Sequence, residues 1–139
     1  MISEVGLTGH VLIIDSDTGE VLFDSSNAVT DAGKKLVMDF LRDGSGDGVQ
    51  VLAIEDESGE IFRKEPTDFT DPDDNRRRYT FFLTESEPPN PPNDLTRLKL
   101  MADDATVTLD TGIEYASVAY ERTKDVNQSL TISWTVIVQ

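Results

Sequence analysis

Apolar residues arrive along this chain in short runs that mostly alternate with polar ones, and one stretch breaks that rhythm. His10 to Ile14 is rich in β-branched residues and Val21 to Phe23 answers it, with Asp15-Ser-Asp-Thr-Gly-Glu20 between them. The pattern predicts a β-hairpin whose turn uses Gly19 for a positive φ. The same unit returns in altered spelling: Val49 to Ile54, then Glu55-Asp-Glu-Ser-Gly-Glu60, then Ile61 and Phe62. A helical segment lies between the two copies, so they read as two hairpins solving one turn problem and not as a repeat array.

That helical segment is where the period changes. Within Asn27 to Gly44, Leu36, Val37, Phe40 and Leu41 fall on one face, and Lys34, Lys35, Asp39 and Arg42 are left for solvent. Thr30 or Asp31 can cap its start and Gly44 can stop it, so one amphipathic helix is expected over about 30–43. Ser45-Gly-Asp-Gly48 reads as a flexible link.

Lys64 to Asn75, polar and carrying Pro66 and Pro72, reads as a long surface loop. Arg78 to Thr84 returns to strand, and Pro88-Pro-Asn-Pro-Pro92 cannot pair in a sheet, so a stiff exposed connector is expected near 88–92 in preference to a docking peptide. Leu95 to Met101 alternates imperfectly; Thr106 to Leu109 reads as a short strand, and Asp103-Asp104 and Asp110 to Gly112 as turns. In Glu114 to Arg122, Tyr115, Ser117, Ala119 and Glu121 oppose Ala116, Val118, Tyr120 and Arg122. Tyr115 and Tyr120 would then face opposite ways, with at least one exposed. Gln128 to Gln139 is the cleanest strand, with Leu130, Ile132, Trp134, Val136 and Val138 on one face. Trp134 and Phe82 are expected in the core. Together these elements predict a mainly β fold, an antiparallel β-sandwich of about seven to nine strands with one amphipathic helix, in a single domain spanning 1–139.

Charge changes the picture most. The 139 residues hold 27 Asp and Glu against 12 Lys and Arg, a formal net charge of -15. Nucleic acid is therefore not an expected partner, because binding it takes a basic stripe that displaces counterions. The one dense basic run, Arg76-Arg77-Arg78, follows Asp71 to Asp74 and is expected to pair locally. Asp outnumbers Glu and Arg outnumbers Lys, a pattern like that of proteins from salt-loving organisms; in molar salt the Debye length falls to about 3 Å and screens the self-repulsion. The chain has no cysteine, which removes disulfides, thiolate zinc sites and cysteine nucleophiles. No secretory signal is visible at Met1-Ile-Ser-Glu-Val and no run reaches membrane-spanning length, so no membrane partner is expected and assembly inside a cell is.

Candidate chemistry is thin. Asp15, Asp17 and Glu20, echoed by Glu55, Glu57 and Glu60, invite a calcium reading, but Gly19 and Ser26 stand where an EF-hand needs an oxygen ligand and a bidentate Glu. A bend is preferred to a metal site. Asp71, Asp73, Asp74 and Asn75 read as a solvated loop. His10 is the only histidine, which removes the usual parts of a triad or a zinc hydrolase, and no Gly-rich phosphate loop is present. Carboxylate pairs suit glycosidases, yet proximity of some pair among so many acids is uninformative. No catalytic, cofactor-binding or metal-binding residue is therefore assigned, and no enzyme activity or cofactor is expected.

Two segments carry a resemblance. Asn27-Ala-Val-Thr-Asp-Ala-Gly-Lys-Lys-Leu-Val-Met-Asp-Phe-Leu41 resembles the "asparagine, apolar, apolar, Thr, x, Ala-Gly" lead-in to a short helix in tail, baseplate and fibre-associated structural proteins of tailed phages. Thr123-Lys-Asp-Val-Asn-Gln-Ser-Leu-Thr-Ile-Ser-Trp-Thr-Val-Ile-Val138 resembles the closing strand of the same proteins, and Thr111 to Tyr120 sits where they carry the strand before it. Leu52-Ala-Ile-Glu-Asp-Glu-Ser-Gly59 departs from their Gly-rich strand end. With the acidic composition, the resemblance implies a virion structural protein of a tailed virus of a haloarchaeal host. It would be assembled in the host cytoplasm, work as a homo-oligomer without cofactor, and dock other virion proteins of the tail, baseplate, fibre or capsid. The alternatives are a capsid decoration or turret protein, and a soluble calcium- or carbohydrate-binding β-sandwich module using the acidic turns.

Overall fold

The cleanest alternation in the sequence becomes the middle of a sheet. The computed structural model describes residues 6–44 and 46–138; Met1 to Val5, Ser45 of the predicted link and Gln139 of the predicted last strand lie outside them. β9 (Leu130–Val138) lies between β1 (Leu7–Asp15) and β6 (Arg76–Leu83), with β2 (Val21–Ala28) and β5 (Asp68–Asp73) at the edges. The facing sheet runs β4 (Gly59–Lys64), β3 (Val49–Asp56), β7 (Asn93–Ala102), β8 (Ile113–Lys124). All strand pairs are antiparallel, and α1 (Asp31–Asp43) links β2 to β3. Among the described residues the fold is thus a two-sheet β-sandwich of nine strands and one helix, as the alternation predicts.

The core lies between the sheets. Val11, Ile13, Phe81, Leu83, Leu130, Ile132 and Trp134 of one sheet meet Leu52, Ile54, Leu95, Leu98 and Leu100 of the other. Burying each such side chain is worth about 1.5–3 kcal/mol against leaving it in water, so this layer dominates the stability. Strict alternation puts Phe81 and Leu83 inside, so the predicted core position of Phe82 is corrected: it is 37% exposed on the outer face.

Both tyrosines of β8 are buried, against the expectation that one would be exposed. The register pairs Leu100 with Ala116 and Met101 with Glu114, passing over Tyr115. A bulge of this kind breaks the period of two. Tyr115 and Ala116 therefore both enter the core although they are consecutive.

Two further expectations are corrected. Lys64 to Asn75 is not all loop, because Asp68–Asp73 pairs with β6 as an edge strand. Its side chains are exposed on both faces, and Pro72 falls in the stretch between paired Thr70 and Asp73 where the ladder is irregular, the kind of place a strand proline occupies. Thr106 to Leu109 is not a strand but part of a loop whose Thr111 hydroxyl donates to the Thr108 carbonyl at 2.8 Å and accepts from the Thr106 N–H at 3.0 Å. That loop covers the outer face of the second sheet, where Val51, Ala53, Met101 and Ala105 make a small separate cluster. Its cover explains why Val51 to Ile54 is apolar without alternation.

Candidate functional site

Register places the functional candidates at two opposite ends of the sandwich. Asp15 opposes Leu130, which opposes Leu83, and Ser16 N–H donates to the Ser129 carbonyl, so the first acidic turn sits at the end where β6 finishes and β9 begins. In the other sheet the β3–β4 turn reaches the same end, and Asp56, Glu57 and Ser58 border one depression with Pro88 to Asp94. The opposite end carries α1, the start of β6 and the close of β9. We refer to the hairpin end and the helix end.

At the hairpin end the acidic turns are bends held by their own side chains. The Asp15 carboxylate accepts from the backbone N–H of Asp17 (3.0 Å) and Thr18 (3.2 Å) and from Gln128 Nε2 (3.3 Å). The Thr18 amide bond is the main cause of a pKa below the usual carboxylate range. Asp56 repeats the device with Ser58, whose hydroxyl and N–H both donate to it at 2.6 and 2.8 Å and lower its pKa. Asp17, Glu20 and Glu57 point to solvent. Among the described residues no group of three or more His, Cys, Asp or Glu is arranged to hold a metal ion. The two copies of the motif differ in one respect: Glu20 is exposed, whereas Glu60 turns back under the 103–112 loop.

There Glu60 joins a buried ionic cluster that the sequence reading did not single out. The Arg63 guanidinium is wholly buried, donates through Nε and Nη2 to Glu60 at 2.6 and 3.0 Å, and through Nη1 reaches the Thr106 carbonyl and Thr111 hydroxyl. Lys99 bridges Glu55 (2.9 Å) and Glu60 (3.2 Å). Burial pushes the Glu60 carboxyl up, but bonds from Arg63, the Asp110 N–H and Lys99 outweigh it and hold the pKa at about 2. Lys99 follows the mirror logic: burial lowers it, and Glu55 and Glu60 raise it above its ordinary value. The cluster fastens the loop to the sheet, and every charge in it has a partner. Opposite charges at Glu55, Glu60, Arg63, Arg97 and Lys99 were its signal, readable only once the β4–β3–β7 pairing is known.

The helix end is different in kind. Thr30 caps α1, its hydroxyl accepting from Gly33 N–H (2.9 Å) and donating toward the Glu114 carbonyl (2.5 Å), while its own N–H reaches the Tyr115 carbonyl. Gly33 lies so close to β8 that an added Cβ would stand 2.7 Å from the Tyr115 carbonyl oxygen. The helix is thus anchored by its first turn. Its apolar face is as predicted, but it is not covered: Leu36 and Val37 are half-buried, whereas Phe40 and Leu41 are 59% and 71% exposed. Between this face and the sandwich lies an open groove of about 440 Å³, lined by Leu36, Val37, Phe40, Tyr79, Tyr115 and Val136. Arg77 stands at its edge, its Nε 2.7 Å from Asp71 and its guanidinium 5.2 Å over the Phe69 ring. Arg76 lies 4.0 Å from Asp73, so Arg76 and Arg77 of the basic run pair with the acids before it. His10, through its Nε2, meets the exposed Asp24 carboxylate at 2.5 Å across the β1–β2 pair.

Trp134 is fully buried, as predicted. The Pro-rich connector folds over the hairpin end, with Pro88 buried and Pro89 and Pro92 exposed. What the fold and surface define is a two-sheet antiparallel β-sandwich with acidic tips at one end and an uncovered apolar groove at the other. Compared with protein-family models, with curated proteins and with solved structures, the chain matches none of them.

Proposed function

We propose that the protein is a non-enzymatic structural subunit that assembles with copies of itself, in keeping with the resemblance to tail, baseplate and fibre-associated proteins of tailed viruses and with a haloarchaeal host. The observation that carries this reading is the groove at the helix end, whose apolar wall ends in Phe40 and Leu41 held out in solvent. Contiguous exposed apolar surface beside a polar rim marks an interaction site.

The resemblance to subunits that assemble with copies of themselves favours a second copy as the occupant. Of the cations at the helix end, Lys35, Arg42, Arg76 and Arg77 are paired with Asp39, Asp43, Asp73 and Asp71 of the same end, so the wall of the groove offers apolar surface and no net positive charge. A second copy that fills the groove with a different part of its surface makes a heterologous contact, which closes into a ring or extends into a filament.

The test is sedimentation velocity on the native chain and on Phe40→Ser with Leu41→Ser. Assembly of the native chain, lost in the double variant while its unfolding midpoint is unchanged, is the expected result. An assembly indifferent to both substitutions would remove the groove from the interface.

A further inference from the structure

β7 opens with Asn93 and β8 ends with Lys124, and the two are directly opposed in the ladder. Opposed antiparallel residues project from the same face with Cβ atoms about 4.5–5.5 Å apart. Here that face is the inner one. Asn93 is two residues before the core residue Leu95, and Lys124 sends its Nζ to the carbonyl of Thr84, just beyond β6 in the other sheet, at 2.8 Å. The 84–92 segment closes over both: Asn93 Nδ2 donates to the Pro89 carbonyl at 3.2 Å.

Each side chain is in an unusual state. Lys124 is 1% exposed and its hydrogen bond is to a neutral carbonyl. Burial lowers its pKa, against the charges of Glu87 and Glu85. A lysine in such a place sheds its proton more readily, and the neutral amine is a nucleophile. Asn93 Oδ1 is buried with no hydrogen-bond partner, a condition that native structures rarely leave unexplained.

We propose that Lys124 and Asn93 become joined by an isopeptide bond within the chain, which ties the start of β7 to the end of β8. The Lys124 Nζ lone pair attacks Asn93 Cγ, so the Nζ–Cγ bond forms. The Cγ–Nδ2 bond then breaks with its electron pair remaining on nitrogen, and a proton from Nζ leaves with Nδ2 as ammonia. One amide is exchanged for another, so no oxidant, reductant or cofactor enters. Fixed proximity on neighbouring strands replaces the entropy cost of bringing amine and amide together, and the amine and the amide oxygen are both buried. The bond lies at the hairpin end, away from the groove, and does not depend on how copies assemble.

The test is the intact mass of the purified full chain under denaturing conditions, with allowance for its N-terminal methionine, followed by peptide mapping. The native chain should be lighter than its sequence by one ammonia and yield a branched peptide joining the segments around Asn93 and Lys124. Lys124→Arg and Asn93→Ser should each restore the full mass. A native chain at full mass overturns the proposal, as does an ammonia deficit that persists in Lys124→Arg, which would be a succinimide at an asparagine. Should a variant fail to fold, the native mass and the branched peptide decide alone.

Discussion

Glu60 and Gly33 show how single positions hold this sandwich together. Glu60 has a pKa of about 2 in the fold against an ordinary 4.5, because Arg63, the Asp110 N–H and Lys99 outbid the burial penalty. A depressed acid stabilises the fold above its unfolded pKa, and that stabilisation is lost as pH falls through the folded one. Urea denaturation should therefore show stability declining between about pH 4.5 and pH 2, with about 3 kcal/mol assigned to this carboxyl. In Glu60→Gln that acid step should vanish, and stability at neutral pH should fall by about 3–5 kcal/mol because Arg63 stays buried without its anion. A variant as stable as the native chain would remove the cluster from the account. Gly33→Ala sets a methyl against the Tyr115 carbonyl, which is backbone and cannot swing aside. A loss of about 1–3 kcal/mol in the same assay is expected, as for other overpacked sites.

Elements were legible where a pattern had a physical partner and illegible where it had none. β9 alternates because one face meets the core, and α1 shows a helical stripe bounded by Thr30 and Gly44, each of which caps it. β5 gave no signal because an edge strand exposed on both faces needs no apolar alternation. The alternation of Thr106 to Leu109 misled, since its threonines bond within their own loop. The bulge at Tyr115 was invisible, as a period of two carries no mark where the ladder skips. The apolar stripe of α1 was read correctly, but the sequence holds no sign that half of it stays uncovered. That groove depends on Thr30 and Gly33 docking only the first turn. Thr30→Ala should cost about 0.5–2 kcal/mol as a lost cap. Hydrogen exchange should then speed in α1 while β9 keeps its protection; uniform speeding across both would mean that the helix is not a separately anchored element.

For the molecule as a whole, the excess of acid and the uncovered apolar groove act against each other. A net charge of -15 opposes association, while the apolar groove favours it. Salt decides the balance, because it screens the general repulsion but leaves apolar burial intact or strengthened. The acidic turns play no part as ligands in this account, in which Asp15 and Asp56 each hold their own turn through Oδ1. Asp15→Ala with Asp17→Ala should accordingly leave assembly insensitive to calcium, just as in the native chain. The most direct measurement is molar mass by light scattering across a series from low to molar salt, with and without a calcium chelator. The account predicts a discrete multiple of the chain mass that forms as salt rises and ignores the chelator. A monomer at every salt concentration, or a mass that follows calcium, would contradict it.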